Sequence, residues 1–320
     1  MDLLARSPER RSLSVVTPVY NGESSVAELC RRLSEVLPRV ATQHEIILVN
    51  DGSRDRSWEV ILELSSQMPA VRGLNLMRNY GQHNALLCGI RAAKYEVIVT
   101  MDDDLQHPPQ EIPRLLARLD EGYDVVYGAP EAEQNGLMRA LASHITRLAL
   151  RTAVGSEVAK NVSAFRVFRT QLREAFAEYH SPFVSIDVLL SWTTSRFGAV
   201  AVDFRPRHAG PSNYTFAKLV RHALDVMTGF STLPLQLASM IGFACTLFGI
   251  AVLVYVIGSY LFQGSIPGFP FVASLIAIFP AAQLFALGVI GEYLARIHFR
   301  MMNRPLYVVR SVSGEGSDSP

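Results

Sequence analysis

From Val226 to Gly291 the chain carries no Asp, Glu, Lys, Arg or His, an uninterrupted run of 66 residues. At the chain-wide share of 18% charged residues, such a run would hold about 12. An ordinary soluble domain, with about a quarter of its residues charged, contains nothing of the kind. The run divides at Gln263–Pro270 (QGSIPGFP), where two Gly and two Pro favour a turn over a helix. Leu235–Phe262 is then 28 residues long and Phe271–Gly291 is 21. About 20 apolar residues cross a hydrocarbon core of about 30 Å, so each piece is long enough to span. The reading is a transmembrane hairpin, 235–262 and 271–291, with an outer loop at 263–270. A buried hairpin in a soluble protein is the alternative.

Positive charge orients the hairpin. Arg205, Arg207, Lys218 and Arg221 precede it, Arg296, Arg300 and Arg304 follow it, and the loop has none. Short basic flanks stay on the cytoplasmic side, so both long ends are expected there, with the protein in the cell membrane. Residues 213–234 place Phe216, Leu219, Val220, Ala223, Leu224 and Met227 on one helical face, the pattern of a helix lying on the membrane surface. Gly242, Gly249, Gly258 and Gly288 permit close helix packing and hence oligomers. The first residues, 1–12, lack a signal-peptide apolar core. A net charge of +1 gives no case for nucleic-acid binding. Three well-separated cysteines, Cys30, Cys88 and Cys245, support neither a disulfide framework nor a zinc site. The tail 311–320 is polar and reads as disordered.

The part before the hairpin, 13–212, alternates strand and helix over its first 130 residues. Apolar strands Ser14–Thr17, Glu45–Val49, Val71–Met77, Val97–Met101 and Asp124–Tyr127 are separated by helical spacing near 26–37, 55–67, 84–93 and 109–121. Strands buried on both faces with helices between them imply an α/β fold with a doubly wound, mostly parallel sheet. In such sheets ligands sit beyond the carboxyl ends of the strands. Pro18-Val-Tyr20-Asn21, Asp51 and Asp102-Asp103-Asp104 all fall there. Neither GxGxxG nor GxxxxGK[ST] is present, so phosphate must be held without those loops. Three adjacent carboxylates repel unless a cation is shared. In an extended run Asp102 and Asp104 point to one side, a grip for one hard divalent ion, Mg2+ or Mn2+. A helix cap before Pro108-Pro109 is the plainer alternative, and it needs one Asp rather than three. For Asp51, a purely local Asp-Gly-Ser turn is the alternative to ligand binding.

Those motifs, with Asn50-Asp51-Gly52-Ser53, Asp102–Gln106 and Pro108-Pro109, resemble the GT-A fold of glycosyltransferase family 2. Arg78-Asn79-Tyr80-Gly81-Gln82-His83, Glu121–Asp124, Gly291-Glu292-Tyr293 and Arg304-Pro305-Leu-Tyr307 narrow the likeness. Together with two spans they resemble bacterial polyprenyl-phosphate glycosyltransferases, above all the undecaprenyl-phosphate 4-deoxy-4-formamido-arabinose transferases. Dolichyl-phosphate mannose synthases are more distant. The resemblance implies an inverting transfer of a sugar from a nucleotide-sugar, UDP favoured over GDP, to polyprenyl phosphate at the cytoplasmic membrane face, by a homo-oligomer (a tetramer). It also implies roles. Pro18, Tyr20, Asn21, Glu23, Asp51, Ser53, Asn79, Gly81 and Gln82, with Asp102 and Asp103, would hold the nucleotide-sugar. Asp102 and Asp104 would hold the metal. Asp102, Asp104, Gln106, Arg139 and Arg207 would act at the reacting diphosphate, and Arg139, Ser143, Ser163 and Arg166 would meet the acceptor phosphate. For each Arg a headgroup contact or solvated surface charge is the alternative.

The chain also departs from that family's pattern. Lys160 stands where an acid is usual, Asn213 where the donor loop usually has Lys, and Gly128-Ala129-Pro130 where the strand commonly leads to an Arg. Gly22 interrupts the Tyr-Asn-Glu run and sets Glu23 one place late. A silent membrane-anchored partner protein is therefore the competing reading from another class. A processive polysaccharide synthase is disfavoured by the missing Gln-x-x-Arg-Trp, and a transporter by spans without one ionisable residue.

Overall fold

A computed structural model describes residues 11–130, 162–181, 184–204, 233–263, 268–302 and 304–314. The strands are β1 (Ser12–Val19), β2 (Gln43–Asn50), β3 (Val71–Leu76), β4 (Val97–Thr100), β5 (Val125–Pro130), β6 (Arg166–Arg169), β7 (Phe197–Val202) and β8 (Val309–Ser313). They form one sheet in the order β7-β5-β6-β4-β1-β2-β3-β8. β3, β2, β1 and β4 are parallel, as are β5 and β7, while β6 and β8 run against their neighbours. β6 reverses direction twice between β4 and β5, so six strands point one way, and the mostly parallel reading holds.

The helices are α1 (Val26–Val40), α2 (Ser57–Gln67), α3 (Gln82–Ala92), α4 (Ile112–Asp120) and α5 (Ile186–Thr193), then α6 (Leu233–Gln263) and α7 (Phe269–Met301). Alternate β1 residues show why the strands read as continuous apolar runs. Leu13, Val15 and Val19 pack with α1, α2 and α4, whereas Val16 packs with α3 and α5 on the opposite face. Both faces are covered, so both must be apolar. The order β3-β2-β1-β4 means that the chain moves outward from β1 through β2 to β3, then crosses back to place β4 on the other side of β1. The gap between the carboxyl ends of β1 and β4 is the topological switch point, where such sheets bind ligands. Most elements differ from the spacing-based reading by one to three residues at an end, and two of the shifts fall beside the strand ends that matter. α3 starts at Gln82, and Pro109–Glu111 forms a 3-10 turn before α4 begins.

Beyond the sheet, Pro234–Phe262 within α6 is, among the described residues, the helix long and apolar enough to cross a membrane, with a mean hydropathy of 2.5 and no buried residue in its most apolar stretch. α7 packs along it, the Phe248 and Phe279 rings lying 6.3 Å apart. α7 does not stop at Gly291 but continues to Met301, past an i,i+4 ion pair between Glu292 and Arg296 at 2.8 Å. The chain then returns to the sheet. Leu306 is buried beside α3, and β8 pairs antiparallel with β3. The sheet therefore takes its eighth strand from beyond α7, and 311–313, expected in a disordered tail, are ordered because they pair with the open edge of β3.

Candidate active site

Three loops meet at the switch point, and their side chains lace them together. After β1, Asn21 adopts φ +54, a left-handed conformation that Asn tolerates better than most residues. Its backbone N–H donates to Ser53 Oγ at 3.0 Å, and its Oδ1 accepts the Arg54 N–H at 2.9 Å. Gly22 N–H donates to Ser57 Oγ at 2.9 Å, Glu23 N–H to Asp55 Oδ2 at 3.1 Å, and Glu23 Oε2 accepts the Arg56 N–H at 2.9 Å. Glu23, expected at the nucleotide, is thus engaged with the backbone at the start of α2. Tyr20 lies at the mouth of this loop, 45% exposed.

Asp51, at the end of β2, is buried and accepts two backbone N–H groups, Tyr80 at 2.7 Å and Gly81 at 2.9 Å, one on each oxygen. Burial pushes its carboxyl upward and the two amides oppose the shift. Asp51 therefore anchors the loop Arg78–Gly81, which also contains Asn79. Gly52, at φ +62, leaves room for that loop, since a Cβ there would lie 2.5 Å from Arg78 C and Asn79 N. Gln82, the first residue of α3, reaches across and donates to Asp102 Oδ1 at 2.6 Å.

The acidic run itself is not extended. It bends at Asp103–Leu105, with Leu105 at φ +61. Asp102 and Asp104 remain part-exposed, but Asp103 turns inward against the Tyr20–Gly22 loop. Asp103 Oδ2 is fully buried without a hydrogen-bond partner, and a Cβ on Gly22 would collide with it. Burial first, then the charges of Asp102 and Asp104, push the Asp103 carboxyl up to about 7. Asp104 Oδ1 accepts the Gln106 N–H at 3.1 Å, which closes the bend. Among the described residues no three His, Cys, Asp or Glu side chains are grouped to hold a metal. Two part-exposed carboxylates nonetheless suit an ion such as Mg2+, which commonly takes one or two carboxylates and completes its shell with phosphate oxygens and water.

Behind the bend, β6 runs antiparallel beside β4. Thr100 pairs with Arg166, and Thr100 Oγ1 donates to Ala164 O at 2.9 Å, so 163–165 runs beside the acidic residues. Ser163 Oγ there accepts the Phe165 N–H at 3.2 Å. Arg166 is not placed to meet a phosphate. It is 2% exposed and ion-paired with buried Asp187, which also accepts the Tyr127 hydroxyl at 3.0 Å. A buried charge needs a partner, and this trio ties β5, β6 and α5 together. His107 lies between Phe165 and Phe204, its ring 5.5 and 4.9 Å from theirs, and burial pushes it down to about 4. Sequence reasoning missed Asp187, Tyr127 and His107, whose partners are distant in the chain. Pro18, the penultimate residue of β1, carries the chain into the site. Arg139, Ser143, Lys160, Arg207 and Asn213 lie outside the described residues.

A doubly wound sheet with an acidic bend at its switch point and no dinucleotide loop is the layout of GT-A glycosyltransferases. The chain belongs to glycosyl transferase family 2, whose sequence pattern it matches over residues 14–178. It is 35% identical over 304 residues to the undecaprenyl-phosphate 4-deoxy-4-formamido-L-arabinose transferase of Pectobacterium atrosepticum, covering 94% of this chain and 93% of that one. Identity is 33% over 309 residues to the enzyme of the same name from Photorhabdus laumondii, with 95% of each chain covered. The fold is similar to that of glucosyl-3-phosphoglycerate synthase from Mycobacterium tuberculosis, solved with Mn2+, UDP-glucose and phosphoglyceric acid. That match has a TM-score of 0.52 and 20% identity, and covers 68% of this chain and 79% of that one.

Proposed function

We propose that this glycosyltransferase moves a sugar from a nucleotide-sugar, UDP-linked by preference, to undecaprenyl phosphate at the cytoplasmic membrane face, for use in the cell envelope. The observation that carries the reading is the meeting of the Tyr20–Glu23 loop, the Asp51-held loop and the Asp102–Asp104 bend at one switch point, in a chain that goes on to an apolar hairpin. The undecaprenyl-phosphate transferases similar to it over 94% of its length support the acceptor.

An oxygen of the acceptor phosphate attacks the anomeric carbon. The bond from that carbon to the nucleoside diphosphate breaks, its electron pair leaves with the diphosphate, and the configuration inverts. The acceptor is already an anion, so the chain need not supply a strong base; it must position the groups and balance charge. Asp102 and Asp104 are the residues to hold Mg2+ or Mn2+, which would neutralise the departing diphosphate. Gln82 fixes the rotamer of Asp102, and the Gln106 amide that of Asp104. The exposed Tyr20 ring, with Asn21 and Ser53, offers the wall for base and ribose. Ser163, beside the bend, together with Arg139, Ser143 and Arg207, is assigned to the phosphates, while Arg166 keeps its place through Asp187.

Chain geometry favours two crossings over one. The catalytic sheet precedes α6, and β8 rejoins that same sheet after α7. The number of crossings between them is therefore even, and a spanning α6 requires α7 to span as well. Both ends of the hairpin then lie with the catalytic domain, and Arg296, Arg300 and Arg304 put that side in the cytoplasm.

The test is nucleotide binding by the detergent-purified full chain. UDP is compared with GDP, with and without Mn2+ or Mg2+, and Asp104→Asn is run alongside. Metal-dependent binding of UDP, at least tenfold weaker in the variant while its melting temperature holds, is the expected result. A folded protein that binds neither nucleotide would sink the donor assignment and bring forward the silent-partner reading.

A further inference from the structure

The segment leaving the hairpin does more than return to the sheet. Leu306 is buried against the α3 side of the core, with Tyr307 packed beside it and the Arg91 guanidinium 5.9 Å from the Tyr307 ring centroid. Val308 O then accepts the Met77 N–H at 2.9 Å. Along β3 the register runs Gly73 to Ser313, Leu74 to Val312 and Asn75 to Ser311, then slips so that Leu76 faces Val309. Arg310 is the residue passed over, the extra residue of a bulge, and bulges commonly re-aim a side chain. Here the Arg310 Nη2 donates to Met77 O at 3.2 Å. Both backbone groups of Met77 are therefore held by residues that follow α7.

Met77 is where the site loop begins. The next residues, Arg78 and Asn79, lie against Gly52, and Tyr80 and Gly81 donate to Asp51. The loop is thus pinned at its far end by Asp51 and at its near end by the post-hairpin segment. We propose that β8 acts as a strap and Arg310 as a positioning residue, which sets the loop Arg78–Gly81 for the donor nucleotide and links that end of the active site to the exit of the second hairpin helix. The inference rests on the donor-site reading given above for what the loop binds, but not for whether the strap holds it.

The experiment uses the full chain in detergent, with Arg310→Ala and Arg310→Lys. In nucleotide-free protein, amide exchange at Tyr80 and Gly81 is expected to quicken about three- to tenfold in Arg310→Ala, the scale of one lost charged hydrogen bond at a partly wet site. Exchange in β1 and α1 should hold. UDP affinity and donor KM should worsen by a similar factor, while kcat and the KM for polyprenyl phosphate stay unchanged, and Arg310→Lys should recover most of the loss. Unchanged exchange at Tyr80 and Gly81 overturns the strap whatever the wild type binds. A loosened loop with unaltered UDP affinity, in a wild type that binds UDP, overturns the positioning role. If the wild type binds no nucleotide, the donor reading fails, and the exchange result alone decides the strap.

Discussion

Two carboxylates at the ends of neighbouring regions of the sheet, Asp51 after β2 and Asp103 after β4, meet burial in opposite ways. Both are pushed upward by loss of water. Asp51 is compensated, with a backbone amide on each oxygen, and so it serves as a fixed post for the Arg78–Gly81 loop. Asp103 is eased only in part by backbone hydrogen bonds at Tyr20 and at its own residue, and it has like charges on both sides and an oxygen without a partner. The β2 side of the site is thereby held in place, whereas the β4 side crowds three adjacent carboxylates. The first is scaffold, and the second is the side proposed to gather a cation and a diphosphate.

The largest effect should come from breaking the scaffold. Asp51→Ala leaves the Tyr80 and Gly81 amides without their acceptor, which should cost about 2–4 kcal/mol of stability and lower donor affinity. Urea denaturation of the catalytic domain signal measures it. By contrast, Asp103→Asn removes one of three adjacent charges and should be neutral or mildly stabilising in metal-free protein. If both substitutions destabilise equally, the contrast between the two sides is lost.

A smaller effect tests the packing of the reactive side. Gly22→Ala drives a methyl into Asp103 Oδ2, and overpacking of this kind costs about 1–3 kcal/mol. Combining it with Asp103→Ala should return most of that loss, a coupling that residues in contact show and distant ones do not. Additive losses would mean that the two side chains do not compete for the same space. The result also bears on Gly22 as a departure from the family pattern, since it makes room for an inward acid.

Much of this was legible in the sequence because its signals are local. Val15-Val16 and Ile46-Ile47-Leu48-Val49 announce strands covered on both faces, and strand-end motifs in a doubly wound sheet have only one place to go. The long apolar helix α6 was visible from the absence of charge alone. What could not be read depends on pairing between distant segments. Arg166-Val-Phe-Arg169 has a charged residue at each end of four and becomes a strand only because β4 and β5 lie on either side of it. Arg166 matched a phosphate-facing position by resemblance, and only the fold shows Asp187 taking its charge. The inward turn of Asp103 was hidden by treating the acidic run as extended, when the left-handed Leu105 bends it.

The smallest expected effect concerns whether the protein itself supplies a cation to that bend. His107 is a candidate among the described residues: three residues on from Asp104, it is buried between Phe165 and Phe204, and its Nδ1 has no partner. Burial, with a lesser push from Arg166, holds it near 4 against the pull of Asp104, while in an unfolded chain it titrates near about 6.5. Between those values the unfolded state binds a proton that the folded state refuses. Stability contributed by the neutral ring is thus full above about 6.5 and falls as pH drops toward 4, with a slope of at most about 1.4 kcal/mol per pH unit. Denaturation midpoints of wild type and His107→Phe, compared from pH 7.5 to 5.0, should diverge on the acid side, with the variant losing less. Parallel curves would mean that His107 takes up its proton alike in the folded and unfolded chains, and a variant that loses more than wild type on the acid side would mean that the folded ring is charged and already serves the acidic bend as counter-ion.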